Sequence, residues 1–356
     1  MGYCARHVMR TQRATIRDVA QRAGVSTATV SFVLNDNPNE SISAAVRLRV
    51  LEAARAVNYH PSAAAAGLAR KRIHNVGIVF YKEDDAIANQ FYSFVVQGAV
   101  KEAIERGYNL LFSYIETTYK SLQDLPKIVR EKNAEGVLFM RRIQPRMIRD
   151  ITSLGIPVVL VDTFPQMRGV NLLQIDNLRG GSLAAEHLIL LGHTQLAMLL
   201  PHDAAPSIEQ RLAGFRAAFD KYERRFSRTT NLIEAEALSY EAGYDAIREA
   251  FAKGATITAL FCANDEMAAG ALRAARESGR RVPRDLSVVG FDDVVMSKYT
   301  DPPLTTIGVV KEHMGRRAMA RLVELVERVD DRVKVEVAPV EILIRGSTAK
   351  AKTKKR

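Results

Sequence analysis

Cysteine is almost absent from this 356-residue chain: Cys4 and Cys262 are the two, placed too far apart to suggest a disulfide framework or a metal-ligand spacing. Long apolar runs are missing as well. No stretch reaches the length of a membrane span, and no signal-peptide-like segment follows the first Met, so the expected home is a reducing cytoplasm with no membrane partner. Catalytic signatures are equally scarce. The tract around Gly180 and Gly181 lacks a P-loop lysine, no strand–GxGxxG–helix fingerprint occurs, and Ser182 and His187 form no nucleophile elbow. His187 and His193 stand six residues apart across a helix end, which is poor metal geometry. No metal, cofactor or catalytic constellation is expected, and the chain reads as a binding protein.

What is present is a familiar globular balance with an uneven charge. Hydrophobic residues make up 47% and charged residues 26%, and the length suits two or three units. The net charge is +11. Residues 1–72 hold 11 Lys and Arg against 4 Asp and Glu, while residues 345–356 hold 6 basic residues and no acid. Between them, 34 basic and 36 acidic residues leave 73–344 close to neutral. A basic head on a neutral body suits phosphate binding at that end, although a solvated basic surface reads the same by charge alone. Residues 345–356 read as a basic disordered tail, and residues 1–14 as a disordered extension.

Thr15 stands three residues before Asp18, a capping-box start for a first helix whose Ile16, Val19, Ala20 and Ala23 share one face. Gly24 can stop that helix in a left-handed conformation, Val25 fills the turn, and Ser26 can cap a second helix running to about Leu34. Ala20 leaves room for a close crossing, and Val30 and Val33 complete a small core. This order of residues specifies a helix-turn-helix. The start of its second helix enters the DNA major groove, so Thr27 can hydrogen-bond a base while Ala28 and Phe32 meet thymine methyls. Phe32 fits a core aromatic equally well. Ser26, Thr29 and Ser31 suit phosphates or capping, and Arg17 and Arg22 suit phosphates. Ser43 opens a third helix, about Ala44 to Val57, with Val46, Val50, Leu51, Ala54 and Val57 inward and Asn58 as its stop. Pro61, Ser62 and four alanines then allow a short helix of roughly two turns, marginal alone in water. Thr15, Asn35, Tyr59, Ala65 and Leu68 complete the candidate DNA contacts.

Head and linker resemble the LacI/GalR family of bacterial transcription regulators, through Thr15-Ile-Arg-Asp-Val-Ala20 and Val25-Ser-Thr-Ala-Thr-Val-Ser31. The resemblance implies that 61–72 is a hinge helix, that two such helices from a dimer enter the minor groove, and that Leu68 wedges between base steps. Phe32 stands where many members carry a polar base reader, and Ala66 where many carry Arg or Gln. The loop Asn35–Ile42 is about two residues longer than usual in the family.

From Asn75 the texture changes. Val76–Phe80, Asn109–Ile115, Gly136–Met140, Val158–Val161, Gln195–Leu200, Ala259–Cys262 and Leu286–Phe291 are expected as strands. Phe91–Arg106, Leu122–Glu131, Pro145–Leu154, Gly180–Leu191, Arg211–Tyr222, Tyr240–Ala252 and Asp265–Gly279 are expected as helices. Alternation of this kind predicts an α/β fold of two doubly wound parallel sheets, each of five or so strands, with a cleft at the strand carboxyl ends. Polar residues just after strands are the ligand candidates: Asp162, Asn264 and Asp292, with Arg211 opening a helix after a long loop. Together with the aromatic pair Phe91 and Tyr92 they suit a polyol. Strand-end Asp and Asn can equally cap the next helix, the reading preferred for Asp265 and Asp293.

The resemblance extends into this region through Arg211-Leu-Ala-Gly-Phe215, Ala263-Asn-Asp-Glu-Met-Ala-Ala-Gly270, Gly290-Phe-Asp-Asp293 and Pro303-Leu-Thr-Thr-Ile307. It implies a two-lobed effector domain similar to periplasmic sugar-binding proteins. It also implies that Arg211 and Asp292 are common effector contacts, and that Asn264 and Asp162 touch sugars in some members. Ala205, Ser207 and Leu238 stand where purine-responsive members carry larger, aromatic or charged side chains.

The expected organisation is a helix-turn-helix domain over 15–60, a hinge over 61–72 and an effector and dimerisation domain over 73–344. Within that domain the N-lobe is expected at about 73–174 plus 307–333 and the C-lobe at about 175–306 plus 334–344. The expected function is a homodimeric regulator, a repressor whose grip on a pseudopalindromic operator duplex is set by a sugar or sugar derivative; a tetramer is the larger assembly left open. Three readings compete: a corepressor-dependent regulator responding to a nucleobase, a sugar-binding transport protein, and an enzyme using the cleft. The head and the missing export signal oppose the second, and the lack of an acid/base pair opposes the third.

Overall fold

The computed structural model describes residues 14–34, 42–59, 72–82, 89–116, 118–140, 143–163, 168–222 and 231–352. The chain divides into two units, Met1–His74 and Asn75–Arg356. Asn35, Ala65, Ala66, Leu68 and the expected hinge helix up to Lys71 lie outside the described residues, as do residues 1–13 of the expected extension.

The first unit contains α1 (Ile16–Ala23), α2 (Thr27–Leu34) and α3 (Ala44–Ala56). The Asp18 carboxylate accepts the Thr15 backbone N–H at 2.7 Å and its hydroxyl at 2.9 Å, which fixes the start of α1. Gly24, at φ 65°, ends it, and the Val25 N–H returns to Ala20 O at 3.1 Å. Val19, Ala20, Ala23, Val30, Val33, Val50, Ala53 and Ala54 form the core. Leu51, expected inward, is 37% exposed. The buried face of α3 is set by positions 50, 53 and 54, and the next residue after 50 turns about 100° away from it.

The second unit begins with β1 (Asn75–Tyr81), α4 (Gln90–Glu105), β2 (Asn109–Ile115), α5 (Lys127–Arg130), β3 (Val137–Met140), α6 (Pro145–Ser153), β4 (Val158–Val161) and β5 (Asn171–Ile175). It continues with α7 (Asn177–Leu190), β6 (Leu196–Pro201), α8 (Pro206–Lys221), β7 (Asn231–Ala235), α9 (Tyr240–Ala252) and β8 (Ala259–Cys262). Then come α10 (Asp265–Glu277), β9 (Ser287–Asp292), β10 (Thr305–Val309), α11 (Lys311–Val326), β11 (Val335–Ala338) and β12 (Val340–Leu343). The helix expected over Leu122–Glu131 is broken into a 3₁₀ turn, Leu122–Asp124, and α5. Pro126 explains the break, because it has no N–H and disfavours helical backbone at the residue before it.

Among the described residues two six-stranded sheets result. One has the order β11-β5-β4-β3-β1-β2, the other β12-β10-β9-β8-β6-β7. All neighbours are parallel except β12, which runs antiparallel to β10. Continuous buried runs such as Val158–Val161 and Ala259–Cys262 fit strands covered on both faces. The chain crosses between lobes after β5, after β10 and between β11 and β12. β11 therefore joins the N-lobe sheet, although 334–344 was expected in the C-lobe. Nor are residues 345–352 a free tail. Ser347 is fully buried, accepts the Thr305 N–H at 2.7 Å and donates to Val288 O at 2.6 Å, so this segment is a strap on the C-lobe.

One helix pair matters for the site. A Cβ on Gly98 of α4 would lie 1.9 Å from Glu312 O, and one on Gly315 of α11 would lie 1.8 Å from Val95 O. Glycine at both points lets the two backbones touch and locks α4 to α11 within the N-lobe.

Candidate ligand cleft and nucleic-acid interface

Helix α2 turns a polar, small-residue face outward. Ser26 caps it by accepting the Thr29 N–H at 3.0 Å, and the two hydroxyls lie 2.9 Å apart. Thr27 and Ala28 are exposed, and Ser31 and Phe32, one turn further along the same face, are half-buried. Phe32 is not among the residues of the head's apolar cluster, whereas Tyr59, expected as a DNA contact, packs against that cluster. Arg17 and Arg22 are exposed. An exposed small polar face with exposed arginines on the preceding helix has the chemistry to approach a DNA groove and its phosphates.

In the second unit the C-lobe wall is built around Arg211. This residue sits in the second turn of α8, not at its start as expected, because Pro206 opens the helix. Its Nε donates to Asn177 Oδ1 at 2.9 Å and its Nη1 to Ala263 O at 2.5 Å. Nη2 lies 3.5 Å from Asp292 Oδ1, and the guanidinium lies 3.5 Å above the Phe291 ring. Burial pushes the Asp292 carboxyl up from its ordinary range, while Arg211 and Lys311 pull it down. Asn264 caps α10, accepting the Met267 N–H at 2.9 Å, which leaves its amide nitrogen as the donor it can offer a ligand.

Asp265 and Asp293, expected as helix caps, do other work. The Asp265 carboxylate accepts the Val294 N–H at 2.9 Å and the Thr306 hydroxyl at 2.5 Å, tying α10 to the segment after β9 and to β10. Burial, with the nearby Asp292 charge, pushes it up to about 8. Asp293 accepts from Ser297 Oγ at 3.1 Å and from Arg345 of the strap at 2.5 Å. A cap would bond backbone N–H groups within its own helix, and neither carboxylate does so in these bonds.

The N-lobe wall pairs Tyr92 with Asp162: the phenol donates to Asp162 Oδ2 at 3.0 Å. Asp162 follows β4 with φ 50°, its N–H bonded to Leu173 O at 2.8 Å. Phe91 meets Tyr92 edge-on, with centroids 5.0 Å apart, and is buried in the apolar core. It backs the tyrosine instead of offering a face to a ligand. The six sequence-predicted residues thus form two pairs, Arg211–Asp292 and Tyr92–Asp162, with Asn264 as a cap and Phe91 as support.

Four further residues escaped sequence reasoning: Asn177, Phe291, Gln90 and Lys311. Asn177 and Lys311 each follow a strand by two residues, the signal used for Asp162, but β5 and β10 were not recognised as strands. A cavity of about 510 Å³ lies beside Asp293 and Lys311, lined also by Phe94, Val295, Val310 and Arg316. None of the six predicted ligand residues lines it. The hydrogen-bonded pairs and this cavity are therefore separate features of the body. Among the described residues no group of three His, Cys, Asp or Glu side chains converges to hold a metal, and no helix is long and apolar enough to cross a membrane.

A helix-turn-helix unit with an exposed polar face, carried on the same chain as a two-lobed α/β body, is the composition of a ligand-controlled DNA-binding regulator. Residues 15–62 match the bacterial regulatory proteins of the lacI family, and residues 185–348 match a periplasmic binding protein-like domain. The chain is 32% identical over 346 residues to the ribose operon repressor of Escherichia coli K12, covering 94% of this chain and 99% of that protein. It is 32% identical over 340 residues to the HTH-type transcriptional repressor PurR of Mannheimia succiniciproducens, covering 95% and 99%. A solved lac repressor dimer, bound to operator and the anti-inducer ONPF, superposes with a TM-score of 0.80 at 27% identity over 95% of this chain and 100% of that one. The chain belongs to the lacI family of bacterial regulatory proteins and is a DNA-binding transcriptional regulator.

Proposed function

We propose that this regulator is a cytoplasmic repressor that holds a pseudopalindromic operator as a homodimer and is controlled by an uncharged sugar between its lobes. On this reading it is a switch that returns its ligand unchanged, not an enzyme. One observation carries the ligand class: each wall presents a donor beside a carboxylate, Arg211 with Asp292 and Tyr92 with Asp162. Such pairs suit hydroxyl groups, which donate and accept at once. The guanidinium is already matched by a carboxylate, which disfavours an anionic ligand. The name of the Escherichia coli relative makes ribose the first sugar to test. The dimer is supported by β2, an edge strand whose Phe112 and Tyr114 are 46% and 52% exposed, an apolar edge that a partner would cover.

The test begins by selecting a duplex from a random pool and measuring its binding by fluorescence anisotropy at physiological salt. The selected duplex should bind about a thousandfold more tightly than random DNA. D-ribose, other sugars, sugar acids and nucleobases are then titrated. Release by a neutral sugar supports the proposal, and tighter binding with a nucleobase would make the chain a corepressor-dependent regulator instead. Equal affinity for selected and random DNA would end the operator reading.

A further inference from the structure

The segment from Asp292, the last residue of β9, to Val295 has an unusual backbone and an unusual number of attachments. Asp292 and Asp293 have φ of 104° and 51°, two consecutive non-glycine residues in the left-handed half of the map. Such residues are strained and persist only when their surroundings hold them. The Lys311 ammonium donates to Asp292 O, to Asp293 O at 3.1 Å and to Val309 O at 3.3 Å. Its three N–H groups match three backbone carbonyls, so Lys311 is engaged by the protein itself and not offered to a ligand. The other attachments are Asp265 on the Val294 N–H and the Gln90 side chain, which accepts the Val295 N–H at 3.0 Å.

Two of these attachments come from the opposite lobe. Gln90 opens α4 and Lys311 opens α11, the N-lobe helices locked together at Gly98 and Gly315. The segment they hold ends the C-lobe strand β9 and carries the carboxylate that meets Arg211. We propose that Lys311 is the positioning residue of the cleft: with Gln90 as its partner, it holds the Asp292 backbone so that the carboxylate meets Arg211, and it links N-lobe movement to that carboxylate. Ligand binding is thereby coupled to the lobe arrangement through a lysine that does not touch the ligand. This inference rests on the proposed cleft, but its first test does not require the ligand to be known.

The experiment compares full-length wild type with Lys311→Met and Lys311→Arg. Hydrogen exchange is followed without ligand, and duplex binding is measured with and without D-ribose. In Lys311→Met the amides of residues 293–298 should exchange at least about tenfold faster, the loss of one closed-state interaction worth 1.4 kcal/mol. Duplex affinity without ligand should persist, while D-ribose should be needed at about tenfold or higher concentration to release the duplex. Lys311→Arg, which restores cationic donors, should recover most of both properties; a lysine that merely adds stability would not separate ligand response from DNA binding. Unchanged exchange over 293–298 in folded Lys311→Met overturns the proposal, as does an unchanged ribose response. If wild type ignores ribose, the sugar assignment fails, and the exchange comparison still decides the role of Lys311.

Discussion

The two walls of the proposed cleft are built by different means. On the C-lobe, Arg211 is fixed from several directions: by Asn177 at the start of α7, by the Ala263 carbonyl after β8, and by Phe291 and Asp292 at the end of β9. On the N-lobe, a neutral phenol meets a carboxylate across 70 residues of sequence, backed by the edge of Phe91. The first wall is a charged, buried network in which losing one member leaves another uncompensated. The second depends on a neutral donor whose loss costs one hydrogen bond. A ligand that draws the lobes together would meet a rigid, charged side and a more adaptable one.

The difference between the walls is greatest at Arg211. Arg211→Met leaves Asp292 buried without its guanidinium, so the protein should lose about 3–5 kcal/mol of stability along with its ligand response. Urea unfolding and duplex release by D-ribose check both. A variant as stable as wild type would show that the C-lobe wall is not the network described. Asp265, beneath that wall, gives an effect that is smaller per pH unit and has a defined sign. Its carboxyl is raised to about 8 from an ordinary 3.8, so the folded state holds a proton that the unfolded state releases. Its contribution is full below about pH 4 and is lost as pH rises toward about 8, with a slope of up to about 1.4 kcal/mol per pH unit. Asp265→Asn should flatten this part of the stability profile, and equal slopes in the two proteins would show that Asp265 ionises normally. The smallest change is Tyr92→Phe, which removes one hydroxyl from the N-lobe wall. Sugar affinity should fall about three- to tenfold, equivalent to roughly 0.5–1.5 kcal/mol, with little change in unliganded DNA binding. A loss as large as that from Arg211→Met would mean the two walls are equally rigid.

Much of this plan was legible in the chain. The capping residues Thr15, Asp18, Gly24 and Ser26 act locally, so their roles followed from spacing alone. The strands Val158–Val161 and Ala259–Cys262 matched because their apolar runs are continuous and sharply bounded, and Asn109–Ile115 matched although Ser113 interrupts its run. Asp162, Asn264 and Asp292 were found because they follow such strands. Their partners were not legible: Tyr92 meets Asp162, and Lys311 meets Asp292 and Asp293, through folding that brings distant segments together. The short strands β11 and β12 were missed for a related reason. They are partly exposed, and their membership of different sheets is decided by pairing.

Neighbours within a turn or two of the chain set the helix caps, the helix-turn-helix order, the buried strand runs and the residue types offered to a ligand. Contacts across the fold set the rest. They made Asp265 a buried brace instead of a cap, turned an apparent tail into a strap, and assigned Lys311 to backbone carbonyls of the opposite lobe. The physical reason is that capping and periodicity are short-range effects, whereas burial and the charge state of a carboxylate depend on everything packed around it.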